Sequence, residues 1–149
     1  RRGARHYASR VSIALVLAAA AALALFVAMG ALLWWRQERI VFQPPRGPWP
    51  EGDGARRIDY AARDGQRLFG YVVGEPTAGR PVLIVFHGNA DLAGWWVPWA
   101  REVRRRTGYA VLLAEYRGYA GIAGEPTYER SALDAAIFWC ENHFRYGAT

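Results

Sequence analysis

The chain has 149 residues, 52% of them hydrophobic, with a formal net charge of +6 and one cysteine. That length suits one domain, and a lone Cys140 excludes an intrachain disulfide or a cysteine-based metal site. The charge is uneven: Arg1, Arg2, Arg5 and Arg10 precede an uncharged run, and from Arg36 onward 15 Arg face 13 acids, so the remainder carries only +2 and nucleic-acid binding loses its main support.

Residues 1–10 read as a basic tail and residues 11–35 as a transmembrane helix. The 25 uncharged residues of that run, rich in Ala, Leu and Val, would span roughly 37 Å as a helix, enough to cross a bilayer with some tilt. The apolar part of a cleaved signal peptide is shorter, about 7–15 residues. A cleaved signal, suggested by the alanines at 18–22, and a buried soluble helix are the alternatives. Trp34 and Trp35 close the run, where aromatic rings suit the headgroup level. The leading Arg cluster predicts a single-pass protein with a cytoplasmic N-terminus and its domain outside the cytoplasm, although Arg36 and Arg39 oppose that orientation.

Residues 36–54 hold four prolines and three glycines and read as a stalk leading away from the bilayer, with Ile40-Val41-Phe42 suiting a short strand or an interfacial contact. Apolar runs then flank Asp64-Gly65, the pattern of a hairpin. Residues 82–86 form an unbroken apolar run, expected of a strand buried on both faces. Leu92, Trp95, Trp96, Trp99 and Val103 follow at helical spacing, with Pro98 suited to a first turn and Thr107-Gly108 to the end. Arg101, Arg104, Arg105 and Arg106 read as a solvated face that pairs with the helix dipole. A second buried strand covers residues 109–115, and a glycine-rich loop covers 116–127. Thr127 caps a last helix, on which Leu133, Ile137, Cys140 and Phe144 are expected to line the buried face, Cys140 as an inert thiol. This order predicts an α/β fold with parallel central strands.

The chemistry lies where the strand opens into His87-Gly88-Asn89-Ala90. A buried strand that breaks into a tight polar turn leaves backbone N–H groups free, and such donors stabilise the oxyanion of acyl transfer. Gly88 allows a sharp turn with no Cβ in the way. Together with Leu113-Ala114-Glu115-Tyr116-Arg117-Gly118-Tyr119 and Gly124-Glu125-Pro126-Thr127, this turn resembles the α/β-hydrolase superfamily over roughly residues 58–144. The nearest type is the membrane-anchored serine hydrolases of the serine aminopeptidase and acyl-thioesterase/lipase branch.

The resemblance implies the N-terminal half of an α/β-hydrolase sheet in residues 55–149, preceded by one transmembrane helix. It implies a small-molecule acyl-type substrate and no cofactor or metal. An N–H of Asn89 or Ala90 would be one oxyanion donor, and the residue after the nucleophile would supply the other. His87 would shape the turn and not act as the base. Tyr116, Arg117, Gly118 and Tyr119 would support the loop beside the site, with Arg117 paired to an acid or to backbone carbonyls. Glu115 and Ala120 depart from the pattern, which has Asp and Gly there. The nucleophile elbow is missing. The serines are Ser9, Ser12 and Ser131, the histidines are His6, His87 and His143, and no triad assembles from them. The chain ends at Gly147-Ala148-Thr149, where the nucleophile strand should begin, and starts with Arg. The expectation is a hydrolase fragment cut before its nucleophile and inactive as it stands. The alternative is a non-catalytic membrane-anchored α/β binding module.

Overall fold

The structure is a computed structural model. It describes the backbone of residues 2–77 and 79–146 and the side chains of residues 13–77 and 79–142. The Arg-rich tail, Ser9, Ser12, His6, His143, the expected contribution of Phe144 and the expected strand start at 147–149 lie outside the described side chains or residues. The chain divides into two compact units, the second beginning at Val41.

Helix α1 runs over Arg2–Val41. Within it Ile13–Val41 is long and apolar enough to cross a membrane, and Arg36 lies over the Trp35 ring at 5.1 Å. The expected break at Arg36 does not occur. Residues 36–41 have no proline, so nothing there stops the helix, and Ile40 and Val41 are helical instead of forming a short strand.

The second unit is built on a four-stranded sheet of β1 (Arg56–Ala61), β2 (Arg67–Val73), β3 (Val82–Phe86) and β4 (Ala110–Ala114), in the order β1-β2-β4-β3. β1 and β2 form the antiparallel hairpin around Asp64-Gly65. Gly65 has φ 80°, and the Asp64 carboxylate accepts the Gln66 N–H at 3.1 Å, the local bonding that makes Asp-Gly a turn signal. β4 runs antiparallel to β2 and parallel to β3. Between β3 and β4 lie a 3₁₀ turn (Ala93–Trp96) and helix α2 (Val97–Thr107), which ends at Gly108 with φ 75°. Helix α3 is Tyr128–Tyr146, and the Thr127 hydroxyl accepts the Arg130 N–H at 3.1 Å as its cap.

The sheet's two faces carry two apolar clusters. Phe69, Tyr71, Val73, Val111 and Leu113 pack with Ala93, Val97 and Ala100. Ile58, Val72, Leu112 and Ala114 pack with Phe138 of α3. The alternation along β2 and β4 thus feeds both faces, and β4 is buried at every position. The strand expected to be buried on both faces, β3, is only half buried, with Leu83 and Phe86 each 38% exposed. Its sole strand partner among the described residues is β4, so its apolar run marks a strand one step from the centre.

The buried face of α3 is rotated by one residue from the expected one. Asp134, Phe138 and Asn142 point inward, Leu133 is 48% exposed, and Cys140 is only partly buried. Periodicity chose the apolar positions. The packing instead turns the largest ring, Phe138, into the sheet and carries Asp134 inward to meet an arginine.

The proline-rich segment packs against its own domain. It lies along the domain as a strap. The Pro50 carbonyl accepts the Tyr71 hydroxyl at 3.3 Å, a Cβ on Gly94 would lie 2.9 Å from Pro50, and Arg101 pairs with Asp53 at 2.6 Å. Proline needs no ladder partner, and Gly52 gives Tyr71 its room: a Cβ there would lie 2.3 Å from the ring. On α2, Arg105 and Arg106 both pair with Glu102, so the basic cluster is partly neutralised along its own helix.

Phe138 sits over Gly70, where a Cβ would come within 2.5 Å of the Leu113 carbonyl and 2.7 Å of the Phe138 ring. Gly70→Ala should therefore cost about 1–3 kcal/mol by overpacking. The check is the urea midpoint of the chain in detergent, and an unchanged midpoint would show that this contact does not hold the sheet to α3.

Candidate functional site

β3 delivers His87 to the interior at its C-terminal end, and β4 delivers Glu115 beside it. His87 Nε2 lies 2.5 Å from Glu115 Oε1, with both side chains 1% exposed. The other Glu115 oxygen accepts the Ala93 N–H at 3.0 Å, and Oε1 also accepts the Tyr116 N–H at 3.2 Å. His87 Nδ1 lies 2.8 Å from the Gly88 carbonyl, and its ring packs edge-on against Tyr116 and Tyr119 at 4.8 and 5.3 Å. Burial alone would lower the His87 pKa. The hydrogen bond and charge of Glu115 outweigh it, so the imidazole is held above its ordinary value. Tyr116 is pushed up to about 12, first by burial and then by the Glu115 charge.

Asn89 organises the turn itself. Its Oδ1 accepts the Ala90 N–H at 2.9 Å, the Tyr119 hydroxyl at 3.1 Å and the Gln43 N–H at 2.9 Å. The Ala90 N–H is thereby engaged, and Ala90 takes φ 53°. The Asn89 N–H meets no acceptor among the described residues. Of the two expected donors, Asn89 is the one left open.

Arg117 serves a different neighbourhood. It forks onto Asp134 of α3, with Nε to Oδ2 at 2.8 Å and Nη2 to Oδ1 at 2.6 Å, and its Nη1 meets Asp64 at 2.6 Å. Its partners lie in α3 and in the hairpin turn. Asp134, then Asp64, raise its pKa further, so the charge is permanent, and Arg117 in turn holds the exposed Asp64 carboxyl below its usual value. Gly118 has φ 78°, and a Cβ there would lie 2.4 Å from Pro126. Ala120 has φ 46°, so this position does use the left-handed region that its non-glycine residue made doubtful.

Sequence reasoning placed His87, Asn89, Tyr116 and Tyr119 in one neighbourhood and missed Glu115, Asp134 and Gln43. One signal was available for Glu115. An acid directly after a fully apolar strand is buried with it unless the chain turns, and a buried acid requires partners. Ser131 lies in α3 with its hydroxyl buried and without a hydrogen-bond partner among the described residues. Among the described residues no group of three His, Cys, Asp or Glu side chains could hold a metal ion.

This is a mixed α/β fold of the kind found in an esterase. The Pyrococcus furiosus esterase Pf2001, in two crystal forms, superposes with a TM-score of 0.51 at 20% identity, over 70% and 71% of this chain and 44% and 42% of the esterase. No family model matches the chain. The uncharacterized protein Rv2307c of Mycobacterium tuberculosis is 31% identical over 121 residues, 76% of this chain and 43% of that protein. Protein bem46 of Schizosaccharomyces pombe is 32% identical over 81 residues, 53% of this chain and 27% of the yeast protein. The chain thus spans less than half the length of these curated relatives.

The His87 pKa is raised on folding, so the pair with Glu115 stabilises the fold fully below about pH 6.5 and loses that contribution as pH rises through the native value. In Glu115→Gln the principal raising influence is gone and burial remains. The His87 imidazole should then titrate below its ordinary range. An NMR titration of the ring protons in both proteins checks this, and equal native values would refute the assignment.

Proposed function

We propose that this chain is the N-terminal part of a membrane-anchored serine hydrolase of the α/β-hydrolase superfamily, acting on ester, thioester or amide bonds. The observation that carries the reading is the open Asn89 N–H at the end of β3, in a turn fixed by the buried His87–Glu115 pair. Acyl transfer builds negative charge on a carbonyl oxygen, and one preorganised N–H at that point contributes about 3–4 kcal/mol. The likeness to an esterase fold supports the same reading. His87 shapes the turn. Its two nitrogens are occupied by Glu115 and the Gly88 carbonyl, so it is not free to relay a proton to a nucleophile.

On this reading the nucleophile, its acid and base, and the second oxyanion donor belong to sequence beyond this chain. The helix Ile13–Val41 anchors the protein in a single pass, with the N-terminus in the cytoplasm and the domain outside it. No cofactor enters the reaction.

The product of the whole gene should label with a fluorophosphonate probe and hydrolyse p-nitrophenyl esters, whereas the 149-residue chain alone should do neither. Absence of labelling in the whole product would overturn the reading in favour of a non-catalytic binding module. Labelling of the short chain would mean that the missing nucleophile has been misassigned.

A further inference from the structure

The imidazole at the base of the turn is held between two acceptors. His87 Nε2 meets the Glu115 carboxylate at 2.5 Å, and Nδ1 meets the Gly88 carbonyl oxygen at 2.8 Å. Both Glu115 oxygens also accept backbone N–H groups, from Ala93 and Tyr116, as a carboxylate does. A carbonyl can only accept, and a neutral imidazole has one N–H to give, so only the doubly protonated ring satisfies both sides. The Gly88 carbonyl shares a planar trans peptide unit with the Asn89 N–H, and the two point in opposite directions. With the carbonyl drawn in to His87, the N–H is turned outward, and it meets no acceptor among the described residues. Both ends of this unit suit rotation. Gly88 has no Cβ and open space where one would be, and asparagine is among the few other residues that tolerate positive φ. The plane can turn about the line joining its two Cα atoms without breaking the three bonds of the Asn89 side chain.

We propose that His87 is a positioning residue: its protonated ring holds the Gly88–Asn89 peptide with the Asn89 N–H outward, and loss of that proton to solvent turns the peptide over and withdraws the donor. This rests on the reading of the turn as an acyl-transfer site. The proton that leaves is the one on Nδ1, because a carboxylate is the stronger acceptor and keeps the Nε2–H. Two lone pairs would then face each other across 2.8 Å. Turning the peptide removes that repulsion and lets the Asn89 N–H donate to Nδ1, so each protonation state has its own satisfied arrangement. In the turned state the Gly88 oxygen takes the outward position, where it repels an oxyanion instead of binding it. The other titratable groups around the ring are Glu115, Tyr116 and Tyr119 after β4 and Asp91 after the turn. Asp91 is engaged by the Leu92 N–H and the Trp96 indole. Burial pushes Tyr116 up to about 12 and raises Tyr119, so neither phenol ionises before His87. Burial lowers His87 itself, but the Glu115 bond and charge and the Gly88 bond outweigh it, which sets the change above about pH 6.5.

The test uses the product of the whole gene in detergent, isotope-labelled at the glycine carbonyl carbon and the asparagine nitrogen, a pairing that this chain contains only at Gly88–Asn89. Exchange of the Asn89 amide with water, relative to the rate of an unstructured chain at each pH, is followed by NMR beside the titration of the His87 ring. The kcat for p-nitrophenyl butyrate is measured over the same range. As His87 loses its proton, the Asn89 amide should gain at least about tenfold protection. Over the same interval kcat should fall by at least about tenfold, since loss of one such donor costs about 10²–10³. The double variant His87→Asn/Glu115→Gln puts a non-titrating amide donor beside the Gly88 carbonyl without stranding a charge, and its kcat should show no such fall. An Asn89 amide indifferent to the His87 titration, or a kcat that does not fall with it, overturns the proposal and leaves the hydrolase reading standing. A fall that persists in the double variant overturns it too, because its source then lies elsewhere. If the double variant does not fold, the amide and the kcat of the native protein decide the matter between them. If the native protein neither hydrolyses the ester nor takes a fluorophosphonate label at any pH, the hydrolase reading itself fails and the proposal with it.

Discussion

The second unit depends on one buried carboxylate. Glu115 stands at the end of β4, wholly inside, and ties three separate pieces of chain: the end of β3 through His87, the 3₁₀ turn through the Ala93 N–H, and its own following loop through the Tyr116 N–H. An ionised carboxylate in such a place costs several kcal/mol of desolvation unless its oxygens are filled. These partners fill them, and Glu115 in turn holds the His87 imidazole above its ordinary pKa. The extra methylene of Glu over Asp lengthens the arm that meets both His87 and Ala93. What read as a minor substitution in a motif is the group that sets where the β3 turn lies relative to β4.

Arg117 repeats the device one layer over. Its guanidinium meets Asp134 in a fork and takes Asp64 at the side, so the loop after β4 is bonded to α3 and to the β1–β2 turn together. A bidentate pair of this kind fixes direction as well as distance. Removing one partner of such a buried pair strands the other, which is why the rotated face of α3 is a stable solution: turning Leu133 inward would carry Asp134 away from Arg117.

The legible parts of the fold were those with local causes. The hairpin follows from Asp64-Gly65, the start of α2 from Pro98, its end from Gly108, and the α3 cap from Thr127, each a matter of backbone dihedrals or one short hydrogen bond. The parts that sequence reading missed depend on pairing across long separations. β3 and β4 are equally apolar as strings, and only the strand order makes one half buried and the other fully buried. The inward turn of Asp134 requires Arg117, 17 residues away, and the docking of the strap requires Asn89, 46 residues from Gln43. At the site, the motif singles out His87 and Asn89, but only the folded turn separates the engaged Ala90 N–H from that of Asn89 beside it.

That separation bears on why the turn has the residues it has. Ala90 and Ala120 both sit at positive φ without being glycine, a conformation that costs each of them about 1–2 kcal/mol. Strain of this order persists only where surrounding contacts over-determine it. At Ala90 the contact is the Asn89 carboxamide oxygen, which gathers the Ala90 N–H, the Tyr119 hydroxyl and the Gln43 N–H. A single oxygen thus absorbs the donors around the turn, while the Asn89 N–H itself meets no acceptor among the described residues. Asn89 is exposed, so its N–H faces solvent. An asparagine at this position satisfies its neighbours with its side chain and leaves its own N–H facing solvent.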